Sequence, residues 1–476
     1  MEKEYNKKYL IFIVVASAMG GLLFGYDWVV IGGAKPFYEQ FFNISSLPVL
    51  QGWAMSCALV GCLLGAMLSG VLSDRFGRKK LLIISAFLFT VSAVGTGAVN
   101  NFNLFVFYRI LGGVGIGLAS NLSPMYIAEI SPAEIRGKYV SLNQLTIVIG
   151  ILAAQIVNWQ IADPVPVNAT NASILASWNG QMGWRWMFWA EVIPAVTFFL
   201  LMFLIPESPR WLAKYGNENK VEAILSKIGG DEYSKIEYIN IRETLANEKS
   251  RDDFRFLLGP GIKKILIIGI VLAVFQQWCG INVIFNYAEE VFKEAGYGVS
   301  DTLFNIVITG SVNLIFTFVA IFTVDRLGRR VLMLMGAGGL AGIYSLMGSA
   351  YYFNISGWIL LLLVIAAIAC YAMSLAPITW VVLSEIFPNR IRGTAMAVAT
   401  FSLWLASFIL TYTFPLLNNA FGASGTFWLY GVICVLGFLF IYKRLPETKG
   451  KSLEQIEKEL TYTQTELNKN LVESDI

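Results

Sequence analysis

The sequence predicts an all-α integral membrane protein of twelve spanning helices, arranged as two similar six-helix halves. Three observations predict it: a composition poor in charge, twelve apolar runs of spanning length, and short signatures that return half a chain later. The chain of 476 residues is 56% hydrophobic and 14% charged. Soluble proteins run near 45–50% and about 25%, so most of this chain is not solvated by water. A span needs about 20 mostly apolar residues. Windows of that kind fall at 9–33, 50–72, 81–99, 102–127, 138–161, 185–205, 262–292, 302–324, 331–351, 357–383, 393–418 and 425–443. Lipid offers no partner for free backbone groups and the pattern lacks the alternation of a barrel, so the spans are helical. The run from Tyr9 to Ala34 is too long for a signal-peptide core, no A-x-A site follows it, and it is taken as the first span.

Three signatures repeat. Asp74-Arg75-Phe76-Gly77-Arg78-Lys79 returns 251 residues later as Asp325-Arg326-Leu327-Gly328-Arg329-Arg330. Glu129–Gly137 returns as Glu385–Gly393, at a spacing of 256. Pro206-Glu207-Ser208-Pro209-Arg210 returns as Pro446-Glu447-Thr448-Lys449-Gly450, at 240. Six plus six helices related by a parallel repeat are the plan of transporters that rock two halves about a central site. The expected organisation is therefore a first half over 1–205, a linker over 206–261, a second half over 262–443 and a tail over 444–476. In the linker, 217–228 and 232–245 are predicted as short amphipathic helices interrupted by Gly229-Gly230.

Nearly all loop Lys and Arg lie in the gaps after spans two, four, six, eight and ten, including Arg75, Arg78, Arg136, Arg326, Arg329 and Arg392. By the positive-inside rule that side, both termini and the linker are cytoplasmic, in a cytoplasmic (inner) membrane. All three signatures then sit at cytoplasmic span ends. Their carboxylates (Asp74, Glu129, Glu207, Asp325, Glu385, Glu447) and guanidinium groups (Arg75, Arg78, Arg136, Arg210, Arg326, Arg329, Arg392) are expected to pair into a gate. Isolated surface ion pairs contribute only about 0–1 kcal/mol, so a network is required. The alternative for the same residues is topology signal and helix capping.

Few ionisable residues lie inside spans, and each is a functional candidate because a mid-bilayer charge costs about 2.5–3.5 kcal/mol on insertion scales. Asp27 lies about 27 Å up span one at about 1.5 Å per residue. Arg109 near the start of span four and Glu191 near the start of span six run downward to a similar depth. The three are predicted to form a proton-coupling cluster in the outer part of the first half; the alternative is a static buried pair. The chain has no histidine, so a proton carrier here is a carboxylate.

Uncharged polar residues mark a candidate substrate site: Gln144 in span five, Gln276, Gln277, Asn282 and Asn286 in span seven, Asn313 in span eight, Trp380 in span ten and Trp404 in span eleven. Amides donate and accept, as a sugar hydroxyl does, and Trp faces stack on sugar C–H surfaces. Gly280 permits a local break that turns the span-seven amides inward. No cationic cluster marks a phosphorylated or carboxylated cargo. Interhelical glue is the other reading of these amides. The five cysteines, all in apolar runs, show no metal or redox spacing. The net charge of +3 is dispersed, which argues against nucleic acid. No cofactor is expected.

Gly70-x3-Asp74-Arg75-x-Gly77-Arg78-Lys79, Pro206-Glu207-Ser208-Pro209-Arg210-Trp211, Gln276-Gln277-x3-Ile281-Asn282, Pro377-x2-Trp380 and Pro446-Glu447-Thr448-Lys449-Gly450 resemble the sugar porter family of the major facilitator superfamily. Ser123–Glu129, Asn143-Gln144 and Phe24-Gly25-Tyr26-Asp27 look most like its bacterial xylose/proton symporter branch. The resemblance spans about residues 9–460. It implies the major facilitator fold, alternating access and a central monosaccharide site. It places sugar contacts on Gln144, Gln276, Gln277, Asn282, Asn313 and Trp380, with Phe24 and Trp404 lining the site. It places proton coupling on Asp27, with Arg109 as partner and Glu191 as second acceptor. Passive facilitators of the family lack an acid at the position of Asp27, which favours symport. The chain departs from the pattern at Asn286, where the family has Tyr. Leu403 replaces a sugar-contacting amide, Ala376 replaces a Gly, and Ile151 replaces a second Gln. These departures leave the identity of the sugar open.

The expected function is a proton-coupled symporter for a neutral monosaccharide, a pentose such as xylose or a hexose. The expected partners are the sugar, protons and membrane lipid, and the expected functional unit is a monomer. A passive uniporter is the alternative; proton uptake on adding sugar separates the two. A transporter-like sensor would need a signalling tail longer than residues 446–476. No nucleophile–base pair suggests an enzyme.

Overall fold

The computed structural model describes residues 5–166, 169–248, 262–387 and 392–449. Every element among the described residues is helical. Among the described residues eleven helices are long and apolar enough to cross a membrane. The last of them contains two, joined at Gly422 (φ 66°), which gives twelve crossings. By their internal contacts the helices fall into two units, Met1–Ser250 and Arg251–Ile476.

In the first unit α1 (Lys7–Phe41), α2 (Pro48–Phe76), α3 (Arg78–Ala98), α4 (Phe102–Ile130) and α5 (Arg136–Ile161) each cross once. The first helix runs eight residues past the predicted end at 33. That extension keeps Lys35, Pro36 and Glu39 inside α1, where Lys35 Nζ and Glu39 Oε1 pair at 3.0 Å and are almost fully buried. A short α6 (Asn171–Ala176) follows. The sixth crossing is a π-turn over Asn179–Gly183, then α7 (Trp184–Ala190) and α8 (Val192–Leu204). The joint is chemical: Pro194 has no N–H for the Ala190 carbonyl, so the i→i−4 ladder lapses at Glu191.

Two helix pairs of this unit meet backbone to backbone through glycine. A Cβ at Gly25 would strike the Ile147 carbonyl, and one at Gly150 would strike that of Leu22. Thr146 Oγ1 donates to Ala18 O (2.9 Å) and Asn158 Nδ2 to Val30 O (3.0 Å), each across 128 residues. A constant offset means α1 and α5 run parallel and in register. Gly61, Gly65, Gly113 and Gly117 hold α2 against α4 in the same way.

The polar segment after α8 forms α9 (Pro209–Lys214) and α10 (Glu218–Glu248), the latter broken at Gly230 (φ 83°). A left-handed φ costs any residue but glycine about 1–2 kcal/mol. The two helices share a small core of Leu212, Val221, Leu225 and Tyr238. They are tied to the start of the chain: Asn6 N donates to Ile228 O (2.8 Å), and Tyr5 packs edge-on against Tyr233.

In the second unit the seventh crossing is α11 (Ile262–Trp278), α12 (Ile281–Asn286) and α13 (Ala288–Glu294). Gly280 takes φ 88° between the first two, so the break expected there is present. Then come α14 (Val299–Leu327), α15 (Arg329–Tyr352), α16 (Trp358–Met373), α17 (Leu375–Ile386) and α18 (Arg392–Arg444). Pro377 leaves the Met373 carbonyl without a donor, and α16 gives way to α17 at Ser374 for the same reason as at Glu191.

Candidate functional site

Three buried charges of the first unit, Asp27, Arg109 and Glu191, form one cluster. The Arg109 guanidinium of α4 is paired through Nη1 with Asp27 Oδ1 of α1. Its Nη2 donates to the Asp27 carbonyl at 3.3 Å. Both side chains are 2% exposed. Glu191, at the α7–α8 joint, is 1% exposed, and both Asp27 and Arg109 act on it electrostatically. Phe188, one turn before Glu191, lies under the guanidinium at 5.5 Å. Two carboxyls thus face one guanidinium in an apolar surround. The depth argument brought these residues to one level; their helices also turn them toward one another. Arg109 Nε has no hydrogen-bond partner among the described residues.

The amides of the second unit form a row across the Gly280 break. Asn282 Nδ2 donates to Gln277 Oε1 (2.5 Å), Gln277 Nε2 to Gln276 Oε1 (2.5 Å), and Gln276 Nε2 to Tyr371 Oη (2.9 Å). All three amides are buried. Tyr371, on α16, was not singled out in the sequence; nothing in spacing marks a lone Tyr in an apolar run. Asn286 is also buried, and its Oδ1 has no partner among the described residues. Asn313 on α14, and Trp404 and Leu403 on the first half of α18, are buried; Trp380 on α17 is half-buried. In the first unit Phe24 is half-buried and packs edge-on against Trp28 at 6.1 Å, and Gln144 is half-buried on α5. Such a row presents donors and acceptors without net charge, the equipment for binding hydroxyl groups.

At the charged ends the two units repeat one arrangement. Arg78 Nε and Nη2 grip the Glu129 carboxylate at 2.9–3.2 Å, and Arg78 Nη1 reaches Ser73 O (3.1 Å) and Asp74 Oδ1 (3.3 Å). Ser208 Oγ donates to Glu129 Oε2 (2.5 Å). Glu207 Oε1 accepts the backbone N–H of Arg78, Lys79 and Ser208. In the second unit Arg329 pairs with Glu385 at 3.1 Å, Thr448 Oγ1 donates to Glu385 Oε2 (2.5 Å), and Glu447 accepts the N–H of Arg329, Arg330, Thr448 and Lys449. Glu207 and Glu447 thus close the open amide ends of α3 and α15, where negative charge is favoured.

The Ser208/Thr448 hydroxyls were missed, although the repeat at 240 residues contained them. Arg136, expected as a member of the gate, places its Nε on Ser131 O at 3.4 Å. The reason is position: Arg136 opens α5 just beyond the Ser131–Ile135 turn, whereas Arg78 opens α3 beside the end of α4. Arg75 lies over Phe76 (5.3 Å), the Asp74 carbonyl takes bonds from Trp211 and Tyr215, and the Arg326 carbonyl accepts from Lys449 Nζ. Arg210 is half-buried on α9. The side chains of Asp325 and Arg392 lie outside the described residues.

Burial alone would push the Glu447 carboxyl up, but its backbone N–H bonds outweigh that and hold it below the usual carboxylate value of 4.5. A depressed carboxylate contributes stability that is present above its unfolded value and lost as pH falls through its folded one. The thermal stability of purified protein should therefore exceed that of Glu447→Gln at pH 7. The gap should close on acidification below about pH 4; a gap unchanged at low pH contradicts this.

The chain matches the family described as Sugar (and other) transporter over residues 13–460. It belongs to that family. It is 41% identical to the D-xylose-proton symporter of Escherichia coli (strain K12), over 96% of this chain and 97% of that one. It is 39% identical to the arabinose-proton symporter of Bacillus subtilis (strain 168), over 96% of each. The inward open conformation of the xylose transporter XylE from E. coli superposes with a TM-score of 0.81 at 40% identity, covering 94% of this chain and 99% of that one. The fold is the twelve-helix major facilitator fold, and the chain is a multi-pass membrane protein and a transporter, not an enzyme.

Proposed function

We propose that this transporter is a symporter that carries a neutral monosaccharide inward together with a proton, by alternating access. The observation that carries the reading is the Asp27–Arg109 pair with Glu191 against it, in a chain akin to proton symporters for xylose and arabinose. With the proton off Asp27, the carboxylate holds Arg109. With the proton on, Arg109 is free to turn to Glu191, which releases α1 from α4 and ties α4 to the α7–α8 joint. Gln276, Gln277, Asn282, Asn313 and Trp380, with Gln144, Phe24 and Trp404, are the proposed sugar contacts, and Asn286 shapes the pocket. The charged ends are the proposed cytoplasmic gate, each network bracing several crossings of one half so that the half moves as a body. Both termini and the segment 206–261 then lie in the cytoplasm, and a monomer suffices for the cycle.

The test is uptake into proteoliposomes under an imposed pH gradient, alkaline inside, with xylose, arabinose, glucose and galactose in competition. At least one sugar should accumulate above its external concentration, and a protonophore should abolish the excess. Uptake that stops at equality and ignores the gradient would instead establish a passive uniporter.

A further inference from the structure

Gln155 on α5 is 2% exposed, and neither its Oε1 nor its Nε2 has a hydrogen-bond partner among the described residues. A buried amide left this way is costly, because its lost bonds to water are not replaced. Its neighbour one turn on shows the ordinary alternative: Asn158 spends its Nδ2 on the Val30 carbonyl. Gln155 does not serve the α1–α5 contact. Helical spacing puts it on another face. Residues 144, 148, 151 and 155 follow steps of four, three and four, which at 3.6 residues per turn keeps them on one stripe. That stripe reads Gln144, Val148, Ile151, Gln155, polar at both ends and apolar between.

Eleven residues of helix separate the two amides by about 16 Å, further than one monosaccharide ring spans. Gln155 therefore cannot share a single bound ring with Gln144. The 128-residue offset of the α1–α5 register sets Gln155 level with Asp27, well displaced from Gln144 toward the outer end.

We propose that Gln155 is a second sugar-hydroxyl station on α5, an entry site on the outer side of the central one. This rests on the monosaccharide reading above. A sugar arriving from outside finds a donor and an acceptor at Gln155. It then passes Val148 and Ile151, which offer its hydroxyls nothing, and is next held at the level of Gln144.

The variant is Gln155→Met, close in size and length but without the amide. Transport is measured in right-side-out and inside-out vesicles, with the best sugar of the competition panel. The KM from the outer face should rise about three- to tenfold, as the loss of one or two hydrogen bonds implies. The KM from the inner face and the maximal exchange rate should stay put. Gln155→Asn should recover part of the outer affinity. The thermal midpoint of the sugar-free variant should hold or rise, because an unpaired amide has been removed. An unchanged outer KM, equal shifts from both faces, or a fall of several degrees in the midpoint each overturns the station, the last by making Gln155 interhelical glue. A shifted pH profile with an unmoved outer KM overturns it too, assigning the amide to a water of the proton site. Failure of the wild type to move any sugar would instead remove the reading beneath it.

Discussion

Asp27→Asn should abolish uphill sugar accumulation while leaving sugar exchange across a gradient-free membrane. A proton falling through 100 mV releases about 2.3 kcal/mol, enough for roughly 50-fold accumulation of a neutral solute at about 1.36 kcal/mol per decade. The variant should bring that ratio to one. Asn keeps the size of Asp and one acceptor oxygen for Arg109, but binds no proton that can be given up. Glu191 stands against the same group and can hold the guanidinium, so the helices need not come apart. Removing a partner of a buried pair otherwise costs about 3–5 kcal/mol. The measurement is the steady-state internal-to-external sugar ratio under an imposed pH gradient, beside counterflow of labelled sugar. Accumulation retained by Asp27→Asn would rule Asp27 out as the coupling acid.

Gln277→Leu should weaken sugar binding by about 10- to 100-fold, more than any other single amide of the row. Gln277 is the middle member, accepting from Asn282 and donating to Gln276. Its loss removes one direct contact and leaves two neighbours without a fixed direction; each lost bond is worth about 0.5–1.5 kcal/mol. Gln276 still has Tyr371, so the row is disordered rather than emptied. Titration of sugar against intrinsic tryptophan fluorescence of the purified protein gives the dissociation constant. A Gln277→Leu protein that binds within a factor of two of the wild type would show that the row is helix glue.

Depth was legible in the sequence, and direction was not. Helical rise is uniform, so counting residues from the charged ends located Asp27, Arg109 and Glu191 at one level. Their proximity then depended on which way each helix is turned, and that is set by glycine contacts such as Gly112 beside Asp27, which no pattern in one helix reveals. The repeats of Glu129 and Glu385 were plain, but which guanidinium each would take was not. Among the guanidinium groups expected at the gate, Glu129 takes Arg78 and Glu385 takes Arg329. Breaks were legible where a residue announces one, as at Gly280 and Pro377. The joint at Glu191 lies three residues before Pro194 in an otherwise uniform run and was passed over as one continuous span. Gln155 escaped because a polar residue in an apolar helix is ordinary until its partners can be counted.

The glycine seam between α1 and α5 has one more consequence. Where backbone lies on backbone there is no layer of side chains to yield, so the two helices tilt as one bar. Asp27 rides on the first, and Gln144 and Gln155 on the second. On the roles proposed for these residues, proton and sugar need no chain of hydrogen bonds to inform each other, because both ligands would push on the same lever. A Cβ placed at Gly25 or Gly150 would wedge that bar open, and coupling would slip before either ligand was lost.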